Sequence, residues 1–380
     1  MGTFSETLLR EFEIQQNKIK QADEIVLYGK TDVFPVMKEA LRAGNLTAPC
    51  KVFDSGTFDD GTPLDSGLRR FVILCGMRAK TRESMKKGAA LFFPDAPCCD
   101  YFAIYYDWLI NKVKRECDRE ELAKTLLAVR DEQTIHNIDS ISTSYCNLNC
   151  KECSNGMQYR KNKKRIPLER QAQSLNALTN FLPVSYCNMQ GGEPLLDPEL
   201  AERIRMHGNN PRIAFLTLAT NGTLLPNDAV MQAMRDTGLM LRISDYGALS
   251  KMKLQIMHKA ELFSVPCDVY HRAESWVSYG KLERRGRSHA QNRAAAESCH
   301  FGTKDLMVYD GYIYSCCRTL YADALGMDNE AVRSNRLCLT QPFSREELDA
   351  IVFGKSLYRM CDYCDAPMRV IPVAEQMPRG

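Results

Sequence analysis

Sixteen cysteines are many for a chain of 380 residues whose polar first twenty residues are expected to be neither signal peptide nor anchor, because reducing compartments disfavour structural disulfides. Metal or redox chemistry is the leading use for those that cluster. The tightest group is YCNLNCKEC, with Cys146, Cys150 and Cys153 at C-x3-C-x2-C spacing. Three thiolates this close on one loop can converge on one centre. A structural zinc wants a fourth ligand, and none lies nearby. A 4Fe–4S cluster takes one ligand per iron, so three cysteines leave one iron open to a small molecule. Zinc with a distant fourth cysteine is the alternative. Cys50, Cys75 and Cys117 stand alone among apolar neighbours and read as small buried hydrophobes. Cys98 and Cys99, in PDAPCCDYF, and Cys338 take no assigned role.

The elements around the first group alternate. β-like runs recur as IDSIST (138–143), VSYCNMQ (184–190), RIAFLTLAT (212–220), LMLRIS (239–244) and FSVPCDVY (263–270). Helical patterns over 168–182, 197–207 and 227–238 separate the earlier ones. Such alternation implies parallel strands in a barrel or open sheet, with chemistry at the carboxyl ends of the strands. The cysteine loop comes directly after the first of these strands.

Three further segments agree with that placement: GGEP (Gly191, Gly192, Glu193, Pro194) ends the second strand, TNG (from Thr220 and Asn221) the third, and ISDYG the fourth. Together with the cysteine loop they resemble the radical S-adenosylmethionine superfamily over about residues 139–269. The resemblance implies a 4Fe–4S cluster on Cys146, Cys150 and Cys153 whose open iron chelates S-adenosylmethionine. GGEP would hold the methionine amino group, since two glycines admit a close approach and a carboxylate pairs with an ammonium. Ser244 is the candidate for the ribose, with Asp245 in reserve. Reductive cleavage of the sulfonium would then give a 5′-deoxyadenosyl radical that abstracts hydrogen from a C–H bond, the protein positioning the groups and excluding water.

Cys299, eleven residues, Gly311, four residues and Cys316 resemble the opening of the SPASM and twitch extensions of that superfamily, and CDYC adds Cys361 and Cys364. The resemblance implies one auxiliary 4Fe–4S cluster on Cys299, Cys316, Cys361 and Cys364, with Cys317 an alternative to Cys316 and zinc the rival occupant. No cysteine comes after Cys364, which fits the shorter, single-cluster arrangement. Trp276, Tyr279, Arg284, Arg285, Arg287 and His289 fall in a stretch (275–289) that either faces an anionic substrate or is a solvated basic loop. The run YRKNKKR (159–165) is a solvated charge run or a docking site for an acidic flavodoxin or ferredoxin. Cys187 and Cys267 sit on strands, either as core or as hydrogen-atom donors.

Upstream, EIVLYG, a helix, KVFD and FVILCG have the spacing of a small Rossmann-like unit, but the turn YGKTDVF has one glycine where a dinucleotide fingerprint has three. The aromatic stretch 91–110 is expected to pack this unit onto whatever follows it. The expected architecture is α/β: a Rossmann-like domain over 1–130, a partial (β/α)6 TIM barrel over 137–297 and an iron–sulfur extension over 298–380. Lys and Arg number 50 against 47 Asp and Glu, a net +3 that argues against a nucleic-acid polycation, and no apolar run approaches the ~18 residues that span a bilayer. The expectation is a cytoplasmic enzyme with no nucleic acid or membrane partner. Its substrate is a small polar molecule, such as a sugar, aminocyclitol or anionic phosphorylated derivative. Alternatives are a ribosomally made peptide or, from another class, a non-catalytic iron–sulfur or zinc scaffold.

Overall fold

The computed structural model describes residues 2–54, 57–62, 64, 67–271, 276–299, 305–354, 358–365 and 368–378. Helix α1 (Phe4–Ile19) begins at a reciprocal capping box between Thr3 and Glu6. After it come β1 (Glu24–Tyr28), α2 (Phe34–Ala43), β2 (Cys50–Asp54), β3 (Thr57–Phe58), β4 (Arg70–Leu74), α3 (Ala79–Phe92), β5 (Cys98–Asp100), α4 (Phe102–Asp107) and α5 (Arg119–Arg130). The strands form one sheet in the order β3-β2-β1-β4-β5, parallel except for β3. Ile25, Leu27, Phe71 and Ile73 face α1, α2 and α4, whereas Val26, Phe53, Val72 and Leu74 face α3. This period of two buries both faces, so the unit is doubly wound as the strand–helix spacing implies. Cys75 lies in its core, and Cys50 and Cys117 pack against it.

The second sheet starts with β6 (Ile135–Ile141), α6 (Leu168–Phe181), β7 (Val184–Gln190), α7 (Leu200–Gly208), β8 (Ile213–Thr220), α8 (Asp228–Thr237), β9 (Met240–Asp245), α9 (Lys253–Leu262) and β10 (Cys267–His271). It is completed by β12 (Leu306–Tyr309), β13 (Tyr312–Tyr314) and β14 (Arg336–Cys338); β11 (Val277–Ser278), α10 (His289–Ser298) and α11 (Cys317–Ala324) lie around it. The strand order is β10-β9-β8-β7-β6-β12-β13-β14. Six of these strands are parallel, and the sixth, β12, comes from the C-terminal region and pairs beside β6 rather than beyond β10. Asp310 and Gly311 both have positive φ, the two-residue turn that twists β12 back into β13.

Along β6 to β9, Ile138, Cys187, Leu216, Leu218, Leu241 and Ile243 pack with the helices outside. The alternate positions, Asp139, Asn188, Ala219, Arg242 and Ser244, line the inner cavity. The aromatic stretch does join the two units: Tyr105 Oη donates to the Ala214 carbonyl at 3.0 Å and its ring lies 5.7 Å from Phe215.

Between β6, α6 and α7 runs a buried polar network. The His207 Nδ1 meets the Arg203 carbonyl, an acceptor only, at 2.8 Å, so Nδ1 carries the proton. Nε2 therefore accepts from Ser140 Oγ (2.9 Å), which accepts from Gln171 Nε2 (3.0 Å). Gln171 Oε1 takes an Arg203 hydrogen at 2.8 Å, and Arg203 pairs with Asp197 at 2.8 Å, both side chains wholly buried. The network anchors the strand that carries the cysteine loop.

Among the described residues, no helix is long and apolar enough to cross a membrane.

Candidate functional site

The carboxyl ends of β6 to β9 meet at one cavity of about 600 Å³. Cys146, Cys150 and Cys153 line it, with Gly191, Gly192, Thr220, Asn221 and Ser244. The two glycines are where β7 presses on the cysteine loop. A Cβ at Gly191 would meet the Thr143 carbonyl oxygen at 2.5 Å, and one at Gly192 the Tyr145 oxygen at 1.9 Å. The Gly192 amide donates to Thr143 O and the Glu193 amide to Tyr145 O, each at 2.8 Å. So the close approach that GGEP permits is made, first of all, to the backbone of the cysteine loop.

Glu193 departs from what the resemblance implies. Its side chain is fully buried and does not line the cavity. Oε1 accepts from Thr220 Oγ1 (2.9 Å) and the Leu195 amide (3.1 Å), and Oε2 accepts from the Asn221 amide (2.8 Å). Burial pushes the carboxyl up to about 7 against these hydrogen bonds. Its work is to staple the end of β7 to the end of β8, while Pro194, also absent from the cavity wall, starts the short turn that Glu193 caps. Asn221 in turn reaches the cysteine loop: Nδ2 donates to Asn147 Oδ1 at 2.9 Å and lies 3.9 Å from Cys146 Sγ.

On β9 the alternation separates the two ribose candidates. Ser244 lines the cavity; Asp245 pairs with Lys253 at 2.7 Å and accepts the Gly247 amide at 3.1 Å. Cys187 and Cys267 are on the helix-facing side of their strands, packed in or against the outer core and outside the cavity wall. Of their two readings, this placement is that of core residues.

Cys299, Cys316, Cys361 and Cys364 are close enough for the charges of Cys299 and Cys316 to raise both the Cys361 and the Cys364 thiols. Burial, the larger cause, takes each of the latter two up to about 12. In the first group it takes Cys146 to about 12 and Cys150 to about 11. Cys146, Cys150, Cys361 and Cys364 are therefore neutral as free thiols, and a bound cation would convert them to thiolates. Among the described residues no three such side chains are gathered tightly enough to hold a single metal ion. Cys317, the alternative to Cys316, is buried, hydrogen-bonds with Tyr279 and lines the first cavity with it.

The basic stretch serves the second group rather than a ligand. Arg284 and Arg285 pair with Asp362 (3.2 Å) and Asp365 (2.7 Å). The Arg287 amide donates to Asp362 at 2.7 Å, and its guanidinium donates to the Cys361 carbonyl at 3.0 Å. Acidic residues inside and just after CDYC thus draw the arginines onto the cysteine turn. Trp276 and Tyr279 do face the cavity, and Trp276 meets Tyr246 edge-on at 5.2 Å. Ser275 lies outside the described residues.

Two further segments reach the site. The C-terminal segment straps the cysteine loop: Gln376 Nε2 donates to Cys150 Sγ at 3.2 Å, its Oε1 takes the Asn149 amide at 2.7 Å, and the Lys151 amide reaches Glu375 O at 2.8 Å. From the other end, Lys30, Thr31, Asp32, Gly76, Met77 and Arg78 of the N-terminal unit line the same cavity.

Comparison with known proteins bears on the upper part of this site. A GTP 3′,8-cyclase from Chlorobaculum tepidum is 30% identical over 128 residues, 32% of this chain and 36% of the relative, so the chain spans about a third of that protein's length in the match. Among solved structures, anSMEcpe with bound AdoMet aligns with a TM-score of 0.40 and 15% identity, covering 60% of this chain and 88% of that one. BtrN in complex with AdoMet and 2-DOIA gives 0.40 and 16%, over 60% and 92%. Streptococcus suis SuiB bound to precursor peptide SuiA gives 0.33 and 11%, over 63% and 70%. The profile of the Radical SAM superfamily matches residues 140–244, the span that holds the cysteine loop, GGEP, TNG and Ser244. Residues 140–244 of this chain match the radical SAM domain, and the family that carries it uses a 4Fe–4S cluster and S-adenosylmethionine.

Proposed function

We propose that the chain is a radical enzyme acting on a small polar molecule. The carrying observation is that three mutually close thiols on one loop share a cavity with the backbone of Gly191 and Gly192 and with Ser244. Cys146, Cys150 and Cys153 would hold the first cluster. When bound, cluster and S-adenosylmethionine supply one-electron cleavage of the sulfonium and a primary carbon radical that removes hydrogen from a substrate C–H bond. The chain's residues do the rest. Gly191 and Gly192 would leave their backbone open to the methionine end, Ser244 would take the ribose, and the edge-on pair Trp276 and Tyr246 would shield the cavity from water.

Cys299, Cys316, Cys361 and Cys364 would hold an auxiliary cluster, joined to the first site through the apolar group containing Tyr279 and Cys317. A nearby acceptor suits net oxidation of an alcohol or amine. A cavity of about 600 Å³ must hold S-adenosylmethionine as well, which leaves room for a molecule of sugar or aminocyclitol size.

For the electron donor, the exposed Lys161, Lys163 and Lys164 beside the cysteine loop suit an acidic flavodoxin or ferredoxin. Charge reversal at the three should slow cluster reduction by such a donor and leave dithionite reduction alone; equal rates with the protein donor contradict that docking site. The function itself is tested by reconstituting the chain anaerobically and adding dithionite and S-adenosylmethionine. 5′-Deoxyadenosine is the expected product, and its absence from protein with about eight irons bound points to a scaffold.

A further inference from the structure

The radical chemistry engages the cavity at the carboxyl ends of β6 to β9. Its other wall is built by the N-terminal unit, through the turns after β1 (Lys30, Thr31, Asp32) and after β4 (Gly76, Met77, Arg78). β1 and β4 are adjacent in the sheet, and the chain winds outward from them in opposite directions, to β2 on one side and β5 on the other. That makes the crevice between their carboxyl ends the switch point, the place where open α/β sheets bind ligands. Here the crevice opens into the space shared with the cysteine loop.

The groups there are of two kinds. Arg78 precedes α3; its Nε donates to His136 Nε2 at 3.1 Å, and its two terminal amino groups make no hydrogen bond among the described residues. The first amide of α3 is already taken by Glu132 at 2.7 Å, so the guanidinium, rather than the helix terminus, is left for an anion. Arg242 pairs with Asp32 at 2.7 Å and its Nε lies 3.8 Å from an Asp268 carboxylate oxygen, an ion pair too long for a hydrogen bond, while the buried Tyr186 hydroxyl makes no hydrogen bond of normal geometry. Asp139 and Asn188, bonded to each other at 2.8 Å, and Asp305 face the same space. Guanidinium groups match phosphate oxygens, and carboxylates and amides match hydroxyl or amine hydrogens.

We propose that the N-terminal unit is the specificity wall of the site. Arg78, supported by Arg242, takes the phosphate of a phosphorylated sugar or cyclitol, and Asp139, Asn188 and Asp305 take its hydroxyl or amine groups. The assignment rests on the small polar substrate reading and narrows it to a phosphomonoester.

Calorimetric titration of the anaerobically reconstituted full chain tests it, with glucose 6-phosphate, glucose and inorganic phosphate as probes. Glucose 6-phosphate should bind at least ten-fold tighter than glucose, with inorganic phosphate between them. Arg78→Gln should abolish that preference and Arg78→Lys keep part of it, with thermal midpoints within about a degree of the wild type. Equal affinity for glucose and its phosphate, an unchanged preference in Arg78→Gln, or no binding by the wild-type chain overturns the proposal. The radical reading is scored separately, from 5′-deoxyadenosine formed by the wild-type chain: its absence alongside Arg78-dependent phosphate binding would remove the chemistry and leave the site.

Discussion

Gly192→Ala is a one-methyl change whose effect is set by two distances. The new carbon would sit 1.9 Å from the Tyr145 carbonyl oxygen and 2.5 Å from its carbon. Both are backbone atoms, so no side chain can swing aside. Relief requires the segment before Cys146 to move away from β7, which also breaks the hydrogen bonds from the Gly192 and Glu193 amides at 2.8 Å. Overpacking costs roughly 1–3 kcal/mol and the two bonds about 1 kcal/mol each, together about 3–5 kcal/mol against the loop's working position. Occupancy of the cluster-competent loop should fall by about two powers of ten or more. Iron and sulfide analysis after anaerobic reconstitution should show about four irons instead of about eight, the survivors on the second thiol group. 5′-Deoxyadenosine formation should fall with them. Gly326→Ala is the control: φ is +76 with open space around it, so it adds strain of about 1–2 kcal/mol without touching the loop. A Gly192→Ala protein with full iron and undiminished product formation refutes the reasoning.

His207 predicts a pH dependence of stability. Burial lowers its imidazole from the usual ~6.5 to about 4. Protonation is therefore harder in the folded chain, and the neutral form contributes about 3 kcal/mol that is fully present above pH ~6.5 and is lost as pH falls towards 4. Urea midpoints should fall more steeply from pH 7.5 to 5 in the wild type than in His207→Gln; parallel slopes refute the assignment. Gln376→Leu removes an N–H that points at Cys150 Sγ, so the first cluster should become harder to reduce, read as a more negative midpoint in a potentiometric titration. An unmoved midpoint says the strap is only structural. Asp362→Ala frees three donors on the 284–287 stretch, at 3.2, 3.3 and 2.7 Å, and should cost the second thiol group its irons. Loss of about half the iron with 5′-deoxyadenosine formation retained is expected, and full iron content contradicts the clasp.

What could be read in the chain was what is local. The β/α alternation from 138 to 270 is a run of short-range periodicities, and the cysteine loop, GGEP, TNG and Ser244 fall at its strand ends as expected. The inward or outward direction of a strand residue obeys parity, so Cys187 and Cys267 could have been set aside by counting from Asn188 and Tyr270, which line the cavity. Asp310-Gly311 was a legible hairpin turn between two short β runs. The docking of β12 beside β6 was not, because parallel pairing across 168 residues leaves no periodic trace. The same holds for the Gln376 strap, one amide in an aperiodic tail. The arginines of 284–287 are ambiguous in sequence because a basic run declares its charge and not its partner; the partner, Asp362, sits inside the C-x2-C pair. Glu193 reads as a ligand group because the resemblance gives its motif the methionine amino group, yet its oxygens are engaged by Thr220, Asn221 and Leu195.

The central claim is that Cys146, Cys150 and Cys153 hold a cluster with one iron left for S-adenosylmethionine. Electron–nuclear double resonance on the reduced protein, with the amino nitrogen and carboxylate oxygens of S-adenosylmethionine isotopically labelled, reads that directly. Hyperfine couplings from both labels, lost in a Cys146, Cys150 and Cys153 triple-alanine variant, are the predicted result. A reduced cluster that shows no coupling to either label contradicts the account.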